Sequence, residues 1–170
     1  MKSIILLSGP IGAGKTTVAK ELVTLSPGPV TCIEGDTFWF YIVKGGETVS
    51  PNMNFKMIMT SMVAAALPYA LYGYQVIVDF SIPPWFLDTA RKVIKGKVPM
   101  HYVVLRPSEK VCMERAATRK EGVINDYSKY HELYTSFDVA QKYIIAGDTN
   151  DASVVAGYVR EGVDEGLFLI

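Results

Sequence analysis

The stretch Gly9-Pro10-Ile11-Gly12-Ala13-Gly14-Lys15-Thr16 follows the apolar run Ile4-Ile5-Leu6-Leu7 and leads directly into Thr17. A glycine, four residues and then Gly-Lys-Thr is the spacing of a phosphate-binding loop, or P-loop. Glycines let the backbone curl until successive N–H groups point inward, where they cradle an anion. A helix opening directly after such a loop adds the partial positive charge of its N-terminus. In that setting Lys15 reaches the β- and γ-phosphates of a nucleotide, and the Thr16 hydroxyl ligates Mg²⁺. The string means little without its surroundings, and the surroundings fit: residues 2–7 read as an apolar strand, and residues 14–25 as a helix stopped by Pro27, Gly28 and Pro29. A glycine-rich turn without a ligand is the bland alternative, and the strand–loop–helix context speaks against it. Gly9, Pro10, Ile11, Gly12, Ala13, Gly14, Lys15, Thr16 and Thr17 are therefore the expected phosphate-binding residues.

Outward from the loop, strands and helices alternate along the chain. Residues 30–34 read as a second strand and 37–43 as a short aromatic helix. A polar loop, 45–54, precedes a long apolar helix at 55–71. The third strand is expected at 75–80, a helix with proline at its start at 84–94, and the fourth strand at 100–105. Ser108 caps a helix running to about residue 119. A helix at 127–140, a fifth strand at 142–146 and a last helix at 152–165 complete the order. Strands lacking hydrophobic–polar alternation, separated by helices, indicate a parallel sheet covered on both faces. The expected fold is α/β, a three-layer α/β/α P-loop arrangement within one domain spanning residues 1–170.

Composition agrees and excludes several classes. The 170 residues are 49% hydrophobic and 20% charged, an ordinary globular balance rather than a disordered one. Seventeen basic residues offset seventeen acidic ones, which argues against a mainly electrostatic nucleic-acid binder. Cys32 and Cys112 form neither a metal-ligand pattern nor a disulfide framework. The apolar N-terminal run is too short for a secretory signal, so the cytoplasm is the expected compartment. Residues 57–78 contain no charge and are long enough to raise a membrane-helix alarm. Polar residues and three tyrosines interrupt them, and 76–78 are strand-like, so they read as a buried helix followed by a buried strand with no membrane partner.

A P-loop does not by itself choose between enzymes. Guanine-reading Asn-Lys-x-Asp and Asp-x-x-Gly are both absent from the sequence. Motor and AAA-type ATPases usually need a larger module, so the length favours a compact kinase acting on a small-molecule acceptor. Asp36 follows the second strand after Gly35 and should face the loop, as ligands of open α/β sheets lie beyond the carboxyl ends of the strands. Phosphoryl transfer to a hydroxyl needs such a carboxylate to accept the proton. Asp36 is thus the expected base, also placed to touch Mg²⁺ through water; capping the following helix is its structural alternative. Asp79 closes Val76-Ile77-Val78 as a Walker-B aspartate does, either in the metal shell or in a structural hydrogen bond below the loop. Glu34 reads as structural.

Arg115 and Arg119 stand four apart, on one face of the helix expected at 108–119. Like charges at that spacing destabilise a helix by a few tenths of a kcal/mol. No carboxylate lies three or four residues from either, and an anionic ligand between them would lift the penalty. A phosphate-clamping lid is expected there, against a solvated face. Phe38, Trp39, Phe40, Tyr41 and Trp85 are either core or acceptor pocket, whereas Tyr127, Tyr130 and Tyr134 read as a packing stripe. His101 and His131 carry no assigned role, and Arg106 is an ion-pair residue or a nucleotide contact.

Residues 8–17, Asp36, Asp79, the Arg115/Arg119 pair and residues 146–150 together resemble the small P-loop kinases. That group includes chloramphenicol phosphotransferase, shikimate kinase and gluconate kinase, and the tunicamycin-resistance ATP-binding protein is similar in layout. The resemblance implies a five-stranded parallel sheet in nucleoside-monophosphate-kinase order, ATP as donor and Mg²⁺ as cofactor. By it, Asp36 matches the family's base and Arg115 and Arg119 its lid arginines; with Lys15 these are the expected catalytic residues, and Thr16, Asp36 and Asp79 the expected metal site. Gly147, Asp148, Thr149 and Asn150 match the loop that borders the adenine. The aromatic run after Asp36 departs from the shikimate and gluconate patterns and points away from those acceptors. An ATP-binding regulatory or resistance protein without transfer, or a nucleotide hydrolase, is the alternative function.

Overall fold

A computed structural model of the protein describes residues 2–120, 122–148 and 151–170. Why a sheet forms is plain in its first strand, β1 (Ile4–Ser8), whose five residues are all buried. Successive side chains of a strand point to opposite faces. Ile4 and Leu6 therefore enter one core, and Ile5 and Leu7 another. Such a strand is stable only between two covering layers.

The remaining elements supply those layers. They are α1 (Lys15–Leu25), β2 (Val30–Glu34), α2 (Pro51–Leu71), β3 (Gln75–Asp79), α3 (Leu87–Ile94), β4 (Met100–Leu105), α4 (Glu109–Ala117), α5 (His131–Thr135), β5 (Ile144–Ile145) and α6 (Ala152–Asp164). The sheet order is β2-β3-β1-β4-β5, and every pairing is parallel. One core joins Ile4 and Leu6 to Met59, Met62 and Val63 of α2 and Ala90 and Ile94 of α3. The other joins Ile5 and Leu7 to Val18 and Leu22 of α1 and Val159 of α6. Fully burying each such aliphatic side chain is worth about 1.5–3 kcal/mol. The three-layer α/β/α fold read from the sequence is the one found.

Local boundaries shift for identifiable reasons. The helix expected from residue 55 begins at Pro51, because the Ser50 hydroxyl accepts from Met53 N–H and proline occupies the first turn. Residues 37–43 do not form an α-helix; Gly35–Tyr41 is a 3₁₀ segment. The helix expected at 84–94 opens with a 3₁₀ turn, Pro84–Phe86, before α3. The stretch 127–140 is broken into the 3₁₀ turn Ser128–Tyr130, α5 and the 3₁₀ segment Ser136–Tyr143. Its apolar residues serve two masters: Tyr127 and Tyr134 pack on Cys112 and Ala116, whereas Phe137 and Ala140 enter the α2 core. One straight helix cannot present both faces. No helix among the described residues is long and apolar enough to cross a membrane.

Candidate active site

Beyond Ser8 the chain leaves the sheet and turns tightly before α1. Gly9, Gly12 and Gly14 all adopt positive φ, at 138°, 83° and 92°. Only glycine takes these angles without strain, and two of the three are also pressed against other backbone. A Cβ on Gly9 would meet the Leu105 carbonyl oxygen at 2.1 Å, and one on Gly12 would meet that of Cys112 at 2.2 Å. The loop is thus wedged between the end of β4 and the middle of α4. The Tyr127 hydroxyl fixes it from a third side by donating to the Ile11 carbonyl at 2.7 Å.

Lys15 starts α1 and folds back over this loop. Its ammonium donates to the carbonyls of Gly9 (3.1 Å) and Pro10 (2.9 Å) and to the Ser81 hydroxyl (3.0 Å). Burial pulls its pKa down to about 8; Asp79 and Asp36 oppose that shift, and Arg119 adds to it. Asp79 ends β3 beside β1, in register with Leu7 on one side and Glu34 on the other. Burial pushes its carboxyl above the usual carboxylate range, while a hydrogen bond from Thr16 and the charge of Lys15 pull it back. Asp36 follows Gly35, which is locked in place because a Cβ there would meet Met62 Sδ at 2.3 Å and the Phe80 ring at 2.5 Å. The tight packing at Gly35 fixes the point from which Asp36 enters the cavity lining.

These groups share one cavity of about 770 Å³, which Lys15, Thr16, Glu34, Asp36, Asp79, Ser81, Arg115 and Arg119 line together with Trp39, Phe55, Phe80, Tyr130 and Leu133. A second, smaller hollow of about 230 Å³ adjoins it behind Gly14 and Thr17. Leu105, Pro107, Ile145, Ala146, Gly147 and Val155 line it together with Arg115. Arg115 borders both spaces and lies over the loop, where a Cβ on Gly14 would be 3.7 Å from its guanidinium.

The expected arginine pair needs one correction. They do not share a helix, because α4 ends at Ala117 and Thr118 follows as its cap. The Thr118 hydroxyl donates back to the Glu114 carbonyl, and Ile124 N–H returns to the Ala116 carbonyl, so the chain turns before Arg119. The like-charge penalty of helical spacing does not arise; Arg119 instead lines the cavity with Lys15, whose charged form it disfavours. Arg115 donates to the Asp148 carbonyl at 3.1 Å, and the Asp148 carboxylate accepts from Ser108 N–H at 2.6 Å. That bond holds Asp148 below the usual carboxylate range. Asp148 thereby ties the loop after β5 to the start of α4. Thr149 and Asn150 lie outside the described residues.

Several participants were not singled out from the sequence. Ser81 is separated from Lys15 by 66 residues, and Phe55 and Leu133 carry no motif at all. Glu34, read as structural, lines the cavity; Tyr130, read as packing, does so too. Among the aromatic residues after Asp36, Trp39 faces the cavity, Phe38 packs against the core, and Phe40 and Tyr41 are exposed. Arg106 is an ion-pair residue: it binds the Asp138 carboxylate, stacks 4.4 Å over the Tyr134 ring and lines neither cavity.

A parallel sheet of this order, with a P-loop between its central strand and the first helix, defines a small P-loop kinase-like α/β protein. The chain belongs to the AAA domain family, which matches residues 4–132. Length, the ground on which AAA-type ATPases were set aside above, does not separate it from that family. Among curated proteins none matches by sequence. The tunicamycin resistance protein of Deinococcus radiodurans has a similar structure, with TM-score 0.72 and 20% identity over 99% of this chain and 98% of that one. A sugar kinase from Janibacter sp. gives 0.71 and 14% over 96% and 95%. The APS kinase of Mycobacterium tuberculosis, solved with AMPPNP and APS, gives 0.69 and 16% over 96% and 98%.

Proposed function

We propose that this chain is an ATP-dependent phosphotransferase that moves the γ-phosphate to a hydroxyl of a small molecule. The observation that carries the reading is the convergence of Lys15, Asp36, Asp79, Arg115 and Arg119 on one cavity beside the P-loop. A nucleotide lies with its phosphates on the loop and its base in the smaller hollow between Pro107, Ile145 and Val155. Lys15 exchanges its loop carbonyls for the β/γ-phosphates, which accept stronger, charge-assisted hydrogen bonds. Asp36 orients the acceptor hydroxyl and takes its proton as the new bond forms. Arg115 and Arg119 hold the phosphoryl group as charge develops on it.

The donor set suits Mg²⁺. Among the described residues no cluster of three or more His, Cys, Asp or Glu forms a metal cage. Mg²⁺ is commonly held by one or two carboxylates plus the substrate's own phosphates. Thr16 would supply a hydroxyl, with the Asp79 and Asp36 carboxylates close by, and the bound ion would neutralise phosphate charge. The balanced net charge favours a small molecule over nucleic acid as partner.

Purified protein given ATP, Mg²⁺ and a pooled set of hydroxylated metabolites and antibiotics tests the proposal. Acceptor-dependent ADP release is the expected result. ADP release indifferent to acceptor would make the protein a hydrolase, and tight ATP binding without turnover a binding protein.

Arg119 gives a separate check. Arg119→Ala should slow transfer by about 10²-fold or more while changing ATP affinity less, since its contact forms mainly as charge develops. It should also raise the Lys15 pKa, because a neighbouring positive charge disappears. Single-turnover rates and nucleotide titrations read both; intact transfer in the variant would remove Arg119 from the site.

A further inference from the structure

We propose that the acceptor is a hydroxyl compound built on an apolar ring and carrying no negative charge; this rests on the phosphotransferase reading above. The charged residues lining the large cavity are three cations (Lys15, Arg115, Arg119) and three carboxylates (Glu34, Asp36, Asp79). All three cations belong to the phosphate side. Lys15 sits on the loop's own carbonyls, Arg115 lies over Gly14, and Arg119 is near enough to act on Lys15. A magnesium–ATP complex brings net negative charge into this balanced lining, so the loaded cavity is negative. An anionic acceptor would then face that charge with every lining cation already engaged.

What remains for the acceptor is aromatic. Trp39 from the 3₁₀ segment, Phe55 from α2 and Phe80 after β3 line the same cavity. The Phe55 ring is 5.5 Å from Phe80 and 6.4 Å from Trp85, so the aromatic cluster extends from the lining to Trp85. Trp39 is 37% and Trp85 56% exposed, so both keep surface accessible to a ligand. Aromatic faces favour flat apolar rings and attract cations, so a protonated amine on the acceptor is accepted where a carboxylate is not.

The chain has two tryptophans; Trp39 lines the cavity and Trp85 neighbours its Phe55, which makes intrinsic fluorescence a local reporter. Three matched probes share a phenyl ring and a benzylic hydroxyl: 2-amino-1-phenylethanol (cationic), 1-phenyl-1,2-ethanediol (neutral) and mandelate (anionic). Titrated into protein saturated with Mg²⁺ and a non-hydrolysable ATP analogue, the first two should bind at least about tenfold tighter than mandelate. Trp39→Ala, read by calorimetry, should weaken both by about tenfold. Mandelate binding as tightly as the others, absence of binding by all three up to about 10 mM, or an unchanged Trp39→Ala affinity overturns the proposal. The two readings fail separately. Transfer confined to anionic acceptors in the pooled assay would overturn the acceptor class and leave the kinase, whereas probes that bind in this order while no acceptor is ever phosphorylated would do the reverse.

Discussion

Lys15→Ala should lower phosphate transfer by about 10³-fold or more and weaken ATP binding by at least about tenfold. Its ammonium is the one P-loop side chain positioned to follow the β/γ-phosphates through transfer, and removing one preorganised donor from developing charge commonly costs about 10²–10³ in rate. The free protein should fold normally. Alanine is the best helix former at the start of α1, and burial disfavours the charge that is removed. Melting curves without nucleotide, ATP titration and single-turnover rates separate these effects. Unchanged affinity together with unchanged turnover would remove the nucleotide from this loop.

Asp36→Asn should leave ATP binding within a few-fold and lower turnover by roughly 10²–10⁴, the usual worth of a positioned general base. Asparagine keeps the side chain's size and its ability to cap, and Asp36 is exposed, so the fold has little to lose. What it cannot do is take a proton from the acceptor. The loss should therefore fall on kcat, with the acceptor's KM moving less. A near-normal transfer rate would return Asp36 to a structural role.

The parts legible in the sequence are those whose physics is local. Gly9 to Thr16 announce their geometry because positive-φ glycines and a helix start are set by neighbours in the chain, and β1 announces its burial because Ile4–Leu7 alternate nowhere. Asp36 and Asp79 could be placed because strand ends in a parallel sheet gather at one edge. The rest depends on distant partners. Nothing near Ser81 marks it as the hydroxyl that receives Lys15, and Tyr127 lies 116 residues from the carbonyl it anchors. The turn after Ala117 was readable in principle, since Thr118 is a poor helix former with a hydroxyl able to bond back, but a continuous helical spacing concealed it. Ser50-Pro51 likewise carried a start signal in a stretch whose polarity suggested a loop.

The ammonium resting on the loop's own carbonyls has a consequence for proton traffic. With its pKa near 8, Lys15 is about half neutral in the free protein at that pH, whereas phosphate oxygens favour its charged form. Nucleotide binding at pH 8 should accordingly draw a proton from the buffer, and the calorimetric heat should change with the buffer's ionisation enthalpy. ATP affinity should decline as pH rises through about 8, by up to tenfold per unit. The unliganded fold responds oppositely: between pH 8 and 10.5 the unfolded lysine binds more protons than the folded one, so this group's contribution to stability grows with pH. Alkaline conditions should thus firm the empty protein while loosening its hold on nucleotide.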